Sequence, residues 1–279
     1  MNSEIKNYTL MSKSKNSRKV SPIRDDFSIT FVLIAFGESY VKYAKQLIES
    51  MGVFVRNPVK LIIFTDDTAS FRTIKKHVQM IKVIETESLK WPEASANRYE
   101  LIDKYQSLLT SEFCFYIDVD SLFINDFDVA EIGMSNFDLA MVHHPGFYKR
   151  GFLFNIYKKF LNPAWEVNYR SKCKVSFWKR NKYVCGGFWG GRRESFLSLC
   201  SELRILTSLD SQTNFYPRSY DESYLNWYFA YRKKILLLSP RYGFVSKFES
   251  NKKFISNPII TFLEKTDEEV WEKLKNARN

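Results

Sequence analysis

Two acidic residues come directly after an apolar segment near the middle of the chain. Residues 115–123 read FYIDVDSLF, so the apolar run leads into Asp118, Val119 and Asp120. Alternate residues of an extended chain face the same side, and two carboxylates that close repel each other unless a cation lies between them. We therefore predict that Asp118 and Asp120 bind Mn²⁺ or Mg²⁺, because these cations take oxygen ligands and keep positions for substrate phosphates.

Two other interpretations of this segment are open. Either the aspartates cap a turn, or the first is the nucleophile of a phosphatase of the haloacid-dehalogenase type. That phosphatase pattern normally has Thr or Val two residues after the second aspartate, where this chain has Leu122. The sequence therefore favours binding of a metal ion with a phosphate group over the phosphatase.

Two segments with adjacent histidines and paired glycines follow later in the chain. Residues 142–148, VHHPGFY, contain His143 and His144, two of the three histidines, and then a predicted turn and aromatic side chains. Each histidine is either packed or paired within the protein, or the segment forms a hydrogen-bonding and stacking surface for a sugar. Residues 185–191, CGGFWGG, have glycines where a ligand or another backbone can approach closely, and no Gly-Lys-Ser/Thr of a P-loop follows.

A fourth segment places two acids at the start of a predicted helix. It comprises residues 220–228, YDESYLNWY, with Asp221 and Glu222 in the first turn. Acids in this position often only complement the helix dipole. The functional interpretation is a carboxylate beside a reacting sugar carbon.

Alternating strands and helices must position these side chains. Buried strands are predicted at residues 27–36, 59–65, 80–85 and 113–117, with helices after the first strand, near residues 70–77 and at 94–109. The second half predicts a strand ending at the histidine pair, helices near 194–206 and 221–232, and strands at 235–239 and 258–263. Such alternation predicts an α/β fold with a mainly parallel sheet.

The chain contains no Gly/Ser linker or internal repeat, so one continuous domain is expected. We predict that it spans residues 25–265, after a basic, disordered tail at 1–24. A helix is predicted within residues 266–279, beginning at a Thr-x-x-Glu capping box. Residues 147–182 are aromatic and basic and are predicted to form a loop.

Composition excludes several classes of protein. The chain has 279 residues, 45% hydrophobic and 26% charged, which excludes a mostly disordered or collagen-like chain. Its four cysteines, which include Cys185, have no CxxC spacing, so neither a disulfide scaffold nor a zinc site is expected. No apolar run is long enough to span a bilayer, and a cytoplasmic location is expected.

The net charge of +11 favours anionic partners. No nucleic-acid-binding module is visible, so nucleic acid is not predicted as a partner. The basic tail predicts at most a weak peripheral contact with an anionic membrane, which would place the protein at the inner face.

In order and spacing, IDVD, HPGFY, GGFWGG, DESYLN and LSP (residues 238–240) resemble glycosyltransferase family 6. That family includes the histo-blood-group ABO transferases and the α-1,3-galactosyltransferase, and the resemblance runs from Phe31 to Lys265. It implies a GT-A fold, a Rossmann-like, mainly parallel α/β sheet flanked by helices. It also implies Mn²⁺, a UDP-galactose or UDP-N-acetylgalactosamine donor, retention of configuration, and an α-1,3 link to a β-galactoside of a glycan or glycolipid.

The resemblance also implies roles for single residues. Glu222 would be the catalytic carboxylate and would contact the acceptor together with His144, while Asp118 and Asp120 would hold the metal ion. The donor would be bound by Tyr40, Arg98, Asp118, Cys185, Gly186, Gly187, Asp221 and Lys265. A non-catalytic sugar-binding protein is the alternative, but the three intact acids argue against it.

Departures from the family pattern refine these expectations. Many bacterial relatives have NxN in place of DxD and work without a metal, whereas this chain keeps both aspartates, so metal dependence is predicted. Ser219 and Tyr220 stand where the blood-group enzymes have Trp-His, so a different acceptor pocket is expected. Glycine at position 187 resembles the N-acetylgalactosamine-using blood-group enzyme, whereas the galactose-using enzyme has alanine there. We therefore expect N-acetylgalactosamine as the donor sugar, because its acetamido group needs the space that an alanine methyl would fill.

Overall fold

Seven strands form one sheet in which six run in the same direction. Side by side they are β3 (Met80–Glu85), β2 (Val59–Thr65), β1 (Ile29–Ala35), β4 (Phe113–Ile117), β7 (Val184–Arg192), β6 (Leu139–His143) and β8 (Ile235–Leu238). Strand β7 is antiparallel to both of its neighbours, β4 and β6. The computed structural model describes residues 28–72, 80–87 and 97–264. In these residues, β5 (Ser121–Phe123) and β9 (Ile260–Phe262) form a second, two-stranded sheet.

Helices cover both faces of the large sheet. The helices of the described residues are α1 (Glu38–Phe54), α2 (Arg98–Lys104), α3 (Phe152–Ile156), α4 (Arg193–Gln212), α5 (Tyr220–Tyr231) and α6 (Glu249–Phe254). Helix α1 buries Leu47, Ile48 and Met51 against one face, as expected for apolar residues at helical spacing. Helices α2, α4 and α5 contribute to the core on the other face. Within the described residues, none of the helices is long and apolar enough to cross a membrane.

The order of the strands creates a crevice at one edge of the sheet. From β1 the chain passes to β2 on one side, and after β3 it returns to β4 on the other side of β1. Ligands of open α/β sheets bind at such a reversal, beyond the carboxyl ends of the strands. Here these ends lead into α1 after β1 and into Asp118 after β4.

The glycine-rich segment forms most of β7, which lies beside the central strand β4. A Cβ atom on Gly190 would lie 2.2 Å from the Cys114 carbonyl oxygen of β4, and one on Gly191 would lie 2.4 Å from the Asp138 carbonyl oxygen. Neither position has room for a side chain. The second glycine pair is therefore required for packing, and the first pair lies nearer to the crevice.

Most predicted elements are confirmed, two predictions are wrong, and short elements such as β5 and α6 were not predicted. The helix predicted at 94–109 is shorter, because α2 ends at Lys104 and a separate 3₁₀ turn, Gln106–Leu108, follows. The predicted loop at 147–182 contains α3, which continues as a π-helical turn over Tyr157–Leu161. Strand β5 was not predicted as a separate element, because its three residues form a strand only through pairing with β9.

Several predictions concern residues outside the described ranges. These are the tail at 1–24, the helix within 266–279 and most of the helix near 70–77. Of the last, the structure describes the 3₁₀ turn Ala69–Phe71.

Candidate active site

Three segments meet at the carboxyl end of β4. Asp118 directly follows the strand, and its backbone N–H donates to the Gly187 carbonyl oxygen of β7 at 2.9 Å. The first turn of α5 brings Asp221 and Glu222 to the same place, where Glu222 contacts the neighbouring Gly186. The sequence predicted these residues separately, and the fold assembles them into one site.

A buried arginine joins the three segments. Arg98 begins α2, and its side chain is only 7% exposed. Its Nη1 lies 3.1 Å from Asp221 Oδ2 and donates to the Gly186 carbonyl oxygen at 3.1 Å. Its Nη2 lies 3.6 Å from Asp118 Oδ1, and the guanidinium stacks 4.3 Å above the Tyr116 ring. The arginine therefore fixes both aspartates relative to β7.

The charged side chains of this cluster shift one another's pKa values. Burial lowers the pKa of Arg98, but the nearby negative groups, chiefly Asp221, more than offset this, so its pKa lies above the ordinary value. Burial raises the pKa of Asp221 to about 7, although Arg98 opposes that rise. Asp118 accepts a hydrogen bond from the Tyr116 hydroxyl at 2.7 Å, which orients the carboxylate.

Glu222 is held by the backbone of β7. Its Oε2 accepts from the Gly186 N–H at 2.9 Å, and the Tyr183 hydroxyl lies beside the same carboxyl group. Burial raises the pKa of Glu222 to about 7, while Gly186 and Tyr183 act in the opposite direction. A carboxyl group that is fixed by a backbone amide is pre-oriented for reaction.

Two supporting residues were missed in the sequence analysis. Asn226 bonds to both backbone groups of Val184 at 2.8 Å and also donates to the Glu222 carbonyl oxygen at 2.9 Å. Asn226 follows Glu222 by four residues, so they share one helix face, a spacing visible in DESYLN. The Tyr99 hydroxyl donates to the Asp221 carbonyl oxygen at 2.9 Å. Together they attach the first turn of α5 to β7 and α2.

His144 lies on the aromatic side of the site. Its Nδ1 accepts from the Gly146 N–H at 3.0 Å, and its ring meets Phe147 and Tyr183 edge-on at 5.2 and 5.6 Å. Burial lowers the pKa of His144 to about 4, so the ring is neutral at neutral pH. Through Tyr183, His144 is connected to Glu222, so the two predicted acceptor residues belong to one cluster.

The remaining predicted residues occupy different positions. Tyr40 lies half-buried in the first turn of α1, with its ring 6.5 Å from that of Tyr43. Cys185 is buried in β7 directly before the first glycine pair. The Asp120 carbonyl oxygen accepts from the Leu263 N–H at 2.7 Å, which ties the DxD segment to β9. Lys265 is outside the described residues.

The two glycines of the first pair face different neighbours. A Cβ atom on Gly186 would lie 3.1 Å from Asp221 Oδ2, whereas one on Gly187 would lie 2.7 Å from the Phe262 ring. An alanine methyl at Gly187 would therefore press on Phe262. The donor preference that Gly187 predicts would therefore depend on the position of the Phe262 ring, as well as on the volume at residue 187 itself.

The mainly parallel seven-stranded sheet flanked by helices has the architecture of a GT-A-like glycosyltransferase. The model of glycosyltransferase family 6 matches residues 23–270, and the chain belongs to that family. This membership replaces the phosphatase interpretation of the DxD segment and implies a glycosyl donor and a glycan acceptor in general.

Two curated relatives agree with the family. The chain is 31% identical over 200 residues to the O-antigen biosynthesis glycosyltransferase WbnI of Escherichia coli, covering 69% of this chain and 77% of that protein. It is 25% identical over 213 residues to histo-blood group ABO system transferase 1 of Rattus norvegicus, covering 74% of this chain and 58% of the rat protein.

Replacing Glu222 with Gln tests the buried carboxyl through the pH dependence of stability. A folded-state pKa of about 7 means that the folded protein holds a proton that the unfolded chain releases above about pH 4.5. Wild-type stability from this group therefore falls as pH rises from about 4.5 to 7. Relative to wild type, Glu222→Gln should gain about 3 kcal/mol over this window in urea unfolding without metal.

The exposed Glu194 provides the matched control, Glu194→Gln, measured under the same conditions. If the difference between Glu222→Gln and wild type stays constant from pH 4.5 to 8, the raised pKa of Glu222 is wrong.

Proposed function

We propose that the chain is a retaining α-1,3-glycosyltransferase that moves N-acetylgalactosamine, or galactose, from a UDP-sugar to the 3-hydroxyl of a β-galactoside. The acceptor would be an oligosaccharide or a glycolipid. The observation that carries the proposal is Glu222, held by Gly186 next to Tyr183 and beside the cluster of Asp118, Arg98 and Asp221. The names of the two relatives, one from O-antigen biosynthesis and one a blood-group transferase, support it.

The donor would lie along the crevice between β1 and β4. In this proposal Tyr40 packs on the uracil, Asp221 contacts the donor sugar, and Cys185 with the first glycine pair lines its pocket. Arg98, with Lys265, places positive charge near the diphosphate, as preorganised stabilisation of a leaving group requires. The ion pairs of Arg98 would keep this charge fixed throughout the reaction.

The donor set of the DxD segment fits a hard divalent cation. Asp118 is a third exposed even though it bonds to Tyr116, and Asp120 lies two residues further on. Within the described residues, no cluster of three or more His, Cys, Asp or Glu side chains could hold a metal alone. Two carboxylates completed by diphosphate oxygens and water suit Mn²⁺ or Mg²⁺. When bound, the ion would neutralise charge on the departing UDP.

Glu222 would act at the anomeric carbon. Departure of UDP leaves positive charge on this carbon, and the carboxylate would either stabilise that charge or attack the carbon from the opposite face. Retention follows either from such a double displacement or from attack of the acceptor hydroxyl on the face that UDP leaves. His144 and Tyr183 would orient the acceptor on the aromatic side.

Glu222→Gln should reduce kcat by roughly a hundredfold or more and leave UDP binding nearly unchanged, because the amide keeps the shape but loses the charge. The measurement is UDP release from UDP-N-acetylgalactosamine and UDP-galactose with a β-galactoside, beside calorimetry of UDP binding. Loss of UDP binding with a normal rate at saturation would contradict the assigned role.

Asp120→Asn should abolish stimulation of UDP release by Mn²⁺, because an amide is a weaker ligand for a hard cation than a carboxylate. The surface Asp126, which pairs with Arg56, provides the control Asp126→Asn, for which full stimulation is expected. A wild-type rate that does not change when a chelator is added would contradict the metal assignment.

Gly187→Ala should move donor preference toward UDP-galactose. Phe262 lies between two glycines, and a Cβ atom on Gly243 would also approach its ring, to 2.9 Å. Gly243→Ala is therefore the control, because it presses on the same ring from a different position. If the methyl group at residue 187 fills the donor pocket directly, the ratio of the two donors should change in Gly187→Ala and not in Gly243→Ala. An unchanged ratio in Gly187→Ala would mean that the pocket assignment is wrong.

A further inference from the structure

An exposed apolar face lies along residues 152–161. Leu153, Leu161 and Phe152 are 79%, 78% and 77% exposed, although such side chains are normally buried. Ile156, Tyr157 and Phe160 extend the same surface. We call these six side chains the 152–161 face.

A neighbouring turn enlarges this face. The Phe160 ring meets the Phe177 ring at 4.5 Å, and Phe177 meets Trp178 at 5.0 Å. Trp178 is 80% exposed. A contiguous apolar surface of this kind indicates a contact with a protein or a membrane, whereas single exposed apolar residues are found on most proteins.

The segment that contains the 152–161 face is strongly basic. Residues 147–182 contain ten Lys and Arg but a single acid, Glu166. Glu166 is buried, and its carboxylate accepts bonds from the backbone N–H groups of Asn168 and Arg218. The basic side chains lie against the apolar ones, with Lys159 Nζ 5.0 Å from the centre of the Phe177 ring. The surface is therefore both apolar and positive.

We propose that the 152–161 face, together with Trp178, docks the protein on an anionic lipid surface. Apolar side chains beside Lys and Arg are the composition of helices that lie in the membrane interface, and anionic headgroups complement the positive charge. A second copy of the chain is a poor occupant, since pairing two such faces would oppose basic residues to basic residues.

The 152–161 face is connected to the candidate active site through aromatic contacts. On its inner side Phe154 packs against Phe147 at 5.7 Å, and Phe147 stacks on Tyr183 at 4.9 Å. The Tyr183 hydroxyl lies beside Glu222. A docked membrane would therefore lie on the aromatic side of the site, where a lipid-linked acceptor would be presented. Membrane binding itself does not depend on the transfer reaction and is measured without donor.

The test is cosedimentation of the full chain with phosphatidylcholine vesicles containing about one-third phosphatidylglycerol. Wild type should bind, and Phe152→Gln with Leu153→Gln should bind at least tenfold more weakly, without any change in net charge. The matched control is Ile205→Gln with Leu209→Gln, two partly exposed apolar residues of α4, which should bind as wild type does.

A labelling experiment avoids dependence on that variant. All four natural cysteines are buried, so Leu161→Cys can carry an environment-sensitive fluorophore, with Ile205→Cys as its control. Vesicles should shift the emission of the first label to the blue and leave the second unchanged.

Three outcomes would overturn the proposal: no binding of wild type to these vesicles, equal binding of the Phe152→Gln/Leu153→Gln variant, or equal emission shifts at both labels. Concentration-dependent dimerisation that the same double variant abolishes, without vesicle binding, would assign the face to a second copy instead. UDP release by the double variant in solution should equal that of wild type, so failure of membrane binding is distinguishable from failure of the transfer reaction.

Discussion

The structure depends on one buried cation. Arg98 lies between Asp118, which directly follows β4, and Asp221, in the first turn of α5, and it also bonds to the backbone of β7. A charge removed from water is tolerated only when it is paired, and removing one partner leaves the other charge buried and uncompensated. Three segments that are distant in sequence are therefore held together, and the carboxylates of the site acquire fixed positions.

The glycine-rich strand makes this arrangement possible. Its second pair, Gly190 and Gly191, lets β7 approach the backbones beside it, while Gly186 and Gly187 leave the strand accessible to Arg98 and Asp118. The same strand donates the Gly186 N–H to Glu222, so packing in the sheet and orientation of the proposed catalytic carboxylate have a common origin. A side chain at Gly190 or Gly191 would disturb the packing of the sheet, and one at Gly186 would press on Asp221.

Much of the fold could be predicted from the sequence, because β1, β2 and β4 are short, mainly apolar runs between polar segments. The acids of the site were also visible in their motifs. The insertion of β7 between β4 and β6, the pairing of β5 with β9 and the contacts of Arg98 could not be predicted, since they arise between residues far apart in the chain. The helix at 152–156 was missed because it has only five residues and lies in a segment whose aromatic and basic composition indicated a loop.

A double-mutant cycle between Arg98 and Asp221 tests the central claim most directly. The unfolding free energy would be measured for wild type, Arg98→Met, Asp221→Asn and the double variant, all without metal or donor. If the buried pair holds the site together, the two changes should be non-additive by at least about 1 kcal/mol, with the double variant more stable than the single effects predict. Additivity within about 0.5 kcal/mol would mean that the pair is not coupled and that the site is held by other contacts.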